Sequence, residues 1–330
     1  MMSSPVEIAR QQASAGHARD AAATLAAAGD AGDAVALAEL AVWYLRGDAV
    51  PRDLESAREC LKRARIIGHV DAALMEIALT ANGSGGAADW PVAVALLRQA
   101  AQSDPLAGQQ LALLDTLPID ANGQPIALTS PEVLHDRPRV QRFRGFCTPI
   151  EGAYLASVVA QSLEPATVVD PSSGKLIAHP IRTSDTAIIG PAQETLVVQA
   201  INRRIAAVTN TEVGQGEPLT ILRYAQGQQY RPHLDTLPGG SNQRIRTAIL
   251  YLNHGYAGGE TIFPLLGLTI AVQAGDLLVF DNVDASGAPE PLSRHAGLPV
   301  AQGNKWIATR WIRAHPLDPW SVSGEGDRSR

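Results

Sequence analysis

The chain has 330 residues, 45% of them hydrophobic and 18% charged, with a formal net charge of −6. That length accommodates about two domains, each able to bury its own core, while the acidic balance offers no basic footprint for nucleic acid or an anionic membrane. Cys60 and Cys147 stand far apart without any CxxC or Cys/His spacing, so the composition suggests neither a disulfide framework nor a zinc knuckle, and both read as buried reduced thiols.

The opening MMSSPVEIARQQ lacks the basic and apolar regions of a secretory signal, and no run approaches the ~18 apolar residues of a membrane span. A cytoplasmic location is the expectation. Before residue 140 the chain is alanine-rich and holds only Trp43, Tyr44 and Trp90 as aromatics, whereas Phe143, Phe146, Phe263 and Phe280 all come later. That shift marks a boundary. Within the first part Leu25, Leu61 and Leu97 align at a 36-residue period, as do Ala28, Ala64 and Ala100, with Gly32 matching Gly68 and Asp53 matching Asp89. A repeat of that length predicts stacked helical hairpins, and the three- and four-residue apolar steps of ALAELAVWYL and ESARECLKRARIIG agree. The stretch LAVWYLRGDAVPRDLESARECLKRARIIGHVDAAL resembles a Sel1-like repeat, related to the tetratricopeptide repeat, with a second copy in ALTANGSGGAADWPVAVALLRQAAQSDPLAG and an eroded first copy at 5–38. The resemblance implies a scaffold for a protein partner; the alternative is that the hairpins merely cap or support the C-terminal domain.

These boundaries divide the chain into a helical repeat domain at 1–114, a linker rich in Pro, Gly and Asp at 115–139, and a second domain at 140–330. A helix is expected from Thr148, a plausible N-cap with Glu151 three residues on. Beyond residue 180, LTILRY (219–224), RIRTAILYLN (244–253), LTIAVQ (268–273), DLLVFDN (276–282) and KWIATRWI (305–312) are short, β-branched or aromatic, and separated by turn residues. Strands at such spacing predict an antiparallel sandwich or barrel. Alternation puts Thr247, Ile249 and Tyr251 on one face of their strand, and Lys305, Ile307, Thr309 and Trp311 together on one face of theirs. Lys305 is therefore either snorkelling at a strand end or a cation set in a pocket.

In YRPHLDTLPGG (230–240), His233 and Asp235 project to the same side if extended, about 6–7 Å apart along the chain. Alone, such a pair is a loop rim or half of a metal site. His295 supplies a third ligand, and two histidines with one carboxylate match the facial triad of non-haem Fe(II); zinc could use the same set with water. His17, His69, His135, His179, His254 and His315 have no partner pattern. Residues 236–242 form a candidate lid. The glycine-rich GGSNQR and GYAGGE lack the Gly-Lys-Ser/Thr of a phosphate cradle, and no GxSxG nucleophile elbow is present.

Taken together, LRYAQGQQYRPHLD, RIRTAILYLNHGYAGGETIFP, AGDLLVFDN and RHAGLPVAQGNKWIATRWI resemble the prolyl 4-hydroxylase branch of the Fe(II)/2-oxoglutarate-dependent dioxygenases, over about residues 140–314. The resemblance implies an α+β chain in which the helical repeats precede a double-stranded β-helix (jelly roll) with flanking helices. By the same resemblance His233, Asp235 and His295 match the catalytic iron ligands. Lys305 matches the residue that pairs with the distal carboxylate of 2-oxoglutarate. Tyr224 and Thr261 match hydroxyls that bind the cosubstrate, and Tyr230, Arg244 and Trp311 match positions on the substrate side; Thr247 and Tyr251 share the inward face. The implied cofactors are Fe(II), 2-oxoglutarate and dioxygen, with ascorbate as a possible addition, and the implied reaction is hydroxylation of proline in a peptide or protein. Arg313 stands where collagen-type enzymes carry histidine two residues beyond their tryptophan. The same chemistry on a free amino acid or other small molecule, and a non-catalytic binding scaffold, are the alternatives.

Overall fold

The computed structural model describes residues 3–169, 176–178, 181–239 and 241–321. His179, and Gly240 within the 236–242 loop, lie outside the described residues. The chain divides into two compact units, one of Met1–Gly123 with Pro191–Gln199 and one of Gln124–Gly190 with Ala200–Arg330.

The first unit is built from α1 (Pro5–Ser14), α2 (Ala18–Asp30), α3 (Ala34–Arg46), α4 (Leu54–Ile66), α5 (Val70–Asn82), α6 (Trp90–Ala100) and α7 (Pro105–Leu114), each packed on its neighbour in the chain. The sequence period reappears as geometry: α2, α4 and α6 begin at residues 18, 54 and 90, and Leu25, Leu61 and Leu97 are fully buried. Burying one leucine contributes about 1.5–3 kcal/mol. Asp33, Asp53, Asp89 and Asp104 cap their helices by accepting first-turn N–H groups. Gly47 and Gly83 close α3 and α5 at φ 75° and 81°, a left-handed conformation that costs any residue with a Cβ. Among the described residues no helix is long and apolar enough to cross a membrane.

The second unit contains β1 (Glu132–Asp136), β2 (Arg139–Phe143), α8 (Pro149–Val158), β3 (Glu164–Pro165), β4 (Thr167–Val169), β5 (Leu176–Ala178), β6 (Asp185–Ile188), most of α9 (Leu196–Thr209), and then β7 (Thr220–Tyr224) and β8 (Tyr230–His233). It continues with β9 (Arg244–Tyr251), β10 (Ala257–Gly258), β11 (Thr261–Phe263), β12 (Leu268–Ile270), β13 (Leu277–Asp281), β14 (His295–Gly297), β15 (Val300–Gln302) and β16 (Lys305–Arg313). An eight-stranded sheet runs β1-β2-β13-β9-β16-β7-β6-β3, and a four-stranded sheet runs β12-β11-β14-β8. Val140, Leu222, Ile249, Tyr251, Leu278, Phe280 and Ile307 of the large sheet meet Phe263 and Ile270 of the small one in a single core. Two antiparallel sheets closed over one apolar layer make this unit a jelly roll, and the chain as a whole is α+β.

Thr148 caps α8 as expected: its Oγ1 accepts from Glu151 N at 3.2 Å, and its own N–H donates to Glu151 Oε2 at 2.7 Å. The other Glu151 carboxylate oxygen takes Arg204 of α9. Cys60 and Cys147 are buried free thiols, and burial pushes Cys147 up to about 12. One segment differs from the sequence expectation: 132–136, placed in the linker, is strand β1. Glu132 is fixed there by Arg142 at 2.7 Å and Arg144 at 3.0 Å, so the Pro- and Gly-rich composition marks the flanks of that segment rather than all of it.

Candidate active site

His233 closes β8, His295 opens β14, and the two are direct cross-strand partners with ring centroids 4.3 Å apart. Asp235, just beyond β8, sets Oδ1 at 3.4 Å from His233 Nε2 and Oδ2 at 3.7 Å from His295 Nε2. One ligand atom from each of the three buried residues lies within 4.8 Å of the others.

The backbone decides the tautomers. His233 Nδ1 lies 2.8 Å from Arg231 O, and His295 Nδ1 lies 3.1 Å from Ser293 O. A carbonyl oxygen only accepts, so each Nδ1 carries a proton and each ring turns its Nε2 toward Asp235. Burial, reinforced by His233, lowers His295 to about 4, which keeps it neutral at pH 7. For Asp235 burial opposes ionisation, but His295, His233 and the Thr247 hydroxyl outweigh it and hold the carboxyl well below the usual range. Two imidazole Nε2 atoms and a carboxylate converge on one point. That donor set fits a divalent cation, and its composition is the two-histidine, one-carboxylate arrangement of Fe(II) centres.

One cavity is lined by these three residues together with Tyr224, Tyr230, Thr247, Thr261, Lys305 and Trp311. Lys305 is 3% exposed, and its Nζ donates to Gly259 O at 2.7 Å. Burial drops its pKa to about 8, opposed by Glu260. Gly259 has φ +71°, and a Cβ there would lie 3.2 Å from Lys305 Cδ, so glycine lets the lysine stem pass. Tyr251, fully buried, stands behind the wall and donates to Thr261 Oγ1 at 2.8 Å, which leaves the threonine proton to face the cavity. Burial pushes Tyr224 up to about 12, so its hydroxyl stays protonated. Tyr230 stacks on the His233 ring at 3.5 Å.

Of the ligand, cosubstrate and substrate residues expected from sequence, only Arg244 is not on the cavity wall. Its guanidinium lies 4.2 Å from the centroid of the Trp311 ring and donates to Glu217 at 2.6 and 2.8 Å. Glu217 also takes Arg313. Sequence reasoning set Arg244 on the substrate side and missed the buried carboxylate that joins it to Arg313, because nothing in GEPLT marks Glu217 as more than a turn acid. It also missed Asn282 and Phe280. Inward alternation carried one residue past β13 would have found both, and Phe280 packs edge-on to the His295 ring at 4.6 Å.

The fold and the His-Asp-His cluster define a jelly-roll protein with a candidate site for a divalent metal. The profile of the 2OG-Fe(II) oxygenase superfamily matches residues 219–313. Prolyl 4-hydroxylase 1 of Arabidopsis thaliana is 32% identical over 213 residues, 59% of this chain and 75% of that protein. The viral collagen prolyl hydroxylase of Paramecium bursaria Chlorella virus-1, solved as its 2OG complex, is 27% identical over 53% of this chain and 96% of its own, with a TM-score of 0.44. A Sel1 repeat protein from Oxalobacter formigenes is 35% identical over 30% of this chain and 29% of its own, with a TM-score of 0.27. The chain belongs to the prolyl 4-hydroxylase family of 2-oxoglutarate-dependent dioxygenases.

Proposed function

We infer that the protein hydroxylates a prolyl residue in a peptide or protein, with His233, Asp235 and His295 holding Fe(II). The observation that carries this reading is the convergence of two histidine Nε2 atoms and the Asp235 carboxylate in a cavity whose wall also contains the buried Lys305. When bound, Fe(II) with 2-oxoglutarate and dioxygen supplies oxidative decarboxylation coupled to C–H hydroxylation.

The chain's own residues do the rest. Lys305, which among the described residues has only a backbone carbonyl as its hydrogen-bond partner, receives the distal carboxylate, and pairing restores the charge that burial disfavours. Thr261, held by Tyr251, turns its free proton to the same carboxylate, with the Tyr224 hydroxyl as a second donor. Phe263 and Phe280 keep water from the His295 side. Tyr230 and Trp311 form the substrate side. The indole Nε1 of Trp311 is buried without a partner among the described residues and suits a backbone carbonyl of the substrate. The helical repeats suit a protein partner, whose capture raises the local concentration of substrate.

The test is anaerobic addition of Fe(II) and then 2-oxoglutarate to the apoprotein, followed by proline-containing peptides and free proline under air. A visible charge-transfer band of the keto-acid chelate and peptide hydroxyproline support the reading. Absence of the band in folded protein sinks the Fe(II) assignment, and turnover of free proline alone moves the substrate to a small molecule. Turnover with and without ascorbate decides whether that reductant is needed.

A further inference from the structure

Asn282 lies one residue beyond β13 and is fully buried, its backbone pinned on both sides: its N–H donates to Ile245 O at 2.8 Å, and its carbonyl accepts from Glu290 N at 2.9 Å. Leu278, Phe280 and Asn282 alternate onto the inner face, and the register that pairs Phe280 with Thr247 carries Asn282 beside that threonine. Asn282 Nδ2 donates to Thr247 Oγ1 at 2.8 Å, and Thr247 Oγ1 donates to Asp235 Oδ2 at 2.6 Å.

The direction of this chain is forced by proton count. An ionised carboxylate only accepts, so Thr247 gives it the one proton it has, and the threonine oxygen must then accept from elsewhere. Asn282 can answer only by turning its NH2 inward. Its Oδ1 is left buried without a partner among the described residues, an arrangement that packing alone does not favour. The side chain is thus kept in the orientation that serves Thr247 at the expense of its own oxygen.

We propose that Asn282 is a positioning residue of the metal site, which through Thr247 fixes the rotation of the Asp235 carboxylate and so keeps Oδ1 toward His233 and Oδ2 toward His295. Asn282 touches none of the three ligands, and its effect passes through one hydroxyl. The proposal rests on the reading of His233, Asp235 and His295 as a metal centre, and outer hydrogen bonds of this kind change metal affinity by about ten- to hundredfold.

The experiment is titration of the full-length apoprotein with Mn(II), read as loss of the free-ion electron paramagnetic resonance signal, with no substrate or turnover involved. Asn282→Leu and Thr247→Val are each expected to weaken Mn(II) binding by about ten- to hundredfold, while Thr247→Ser keeps it. Because the relay is serial, Asn282→Leu is expected to add no more than about twofold in the Thr247→Val background. Unchanged affinity in Asn282→Leu, or fully additive losses in the double variant, overturns the relay. Should circular dichroism show that Asn282→Leu does not fold, Asn282→Ala takes its place, and equal affinities of Thr247→Val and Thr247→Ser overturn it independently. A wild type that binds no Mn(II) fails one step earlier, at the metal centre itself.

Discussion

The helical unit and the β unit bury their interiors by different rules. In the helices the buried side chains are mostly alanine and leucine, each helix packs on its sequence neighbour, and the buried Glu76 is answered within the unit by Arg65 at 2.6 Å. In the jelly roll β13 lies between β2 and β9, and β16 between β9 and β7, so strands distant in sequence become adjacent. Its interior holds His233, Asp235, Thr247, Thr261, Asn282, His295 and Lys305, all buried. Buried polar groups destabilise unless paired, and among the described residues Asn282 Oδ1 and Trp311 Nε1 of this unit are buried without a partner. The repeat unit is organised for stability and contact, and the jelly roll concentrates its unfavourable groups where chemistry is done.

The contrast breaks most completely at Asp235. Asp235→Ala removes the one anionic ligand and is expected to abolish both metal binding and hydroxylation while circular dichroism stays unchanged. Turnover at the wild-type rate would end the assignment. Next in size is Lys305. A hydrogen bond to a charged group is worth about 1.5–3 kcal/mol, so Lys305→Met should raise the KM for 2-oxoglutarate by about ten- to hundredfold with a smaller change in kcat. The same residue sets a pH dependence. Burial lowers Lys305 to about 8, so the free site holds an ammonium below that pH and an amine above it. Wild-type kcat/KM for 2-oxoglutarate should therefore fall as pH rises through about 8. Lys305→Arg, if it is accommodated beside Gly259, should carry the plateau higher; a flat wild-type profile to pH 9 would mean that no charge pair forms.

How much of this could be read from the chain depends on the range of the contacts. The 36-residue spacing of Leu25, Leu61 and Leu97 encodes the repeat helices because each turn is made locally, with Asp53 and Asp89 as visible caps. The inward faces of β9 and β16 were legible because alternation is local too. Register was not. That Trp311 pairs with Thr247, and His295 with His233, is set by the folded sheets, so residues that act only through a neighbour escaped notice. Glu217 and Asn282 are of that kind, since neither carries a spacing signal and each is defined by what lies opposite. Strand β1 escaped for the same reason, since it is made by antiparallel pairing with β2 rather than by its own composition.

Glu217 gives a smaller effect on catalysis. It is 4% exposed and holds both Arg244 and Arg313, and Arg244 covers Trp311. Glu217→Gln leaves two guanidinium groups sharing a neutral partner. Removing one member of a buried ion pair costs about 3–5 kcal/mol, so a lowered melting temperature is expected. The KM for a peptide substrate should rise about tenfold by the loss of roughly 1.4 kcal/mol of positioning, while the KM for 2-oxoglutarate stays at its wild-type value. Equal changes in both would show that the triad supports the whole pocket rather than its substrate side.

The smallest catalytic effect is expected from the largest change to the repeat core. Leu61 is fully buried in α4, and Leu61→Ala should cost about 2–5 kcal/mol through lost burial and the cavity left behind. Because the helices draw their contacts from chain neighbours, that loss should show as an earlier melting phase of the helical signal. Hydroxylation of a short peptide below that temperature should keep the wild-type kcat/KM, whereas activity on a protein captured by the repeats should fall with the helical signal. Parallel loss of short-peptide turnover would mean that the two units melt as one cooperative body. Loss on the captured protein alone would assign the repeats to recognition, the role their exposed helical surface suits.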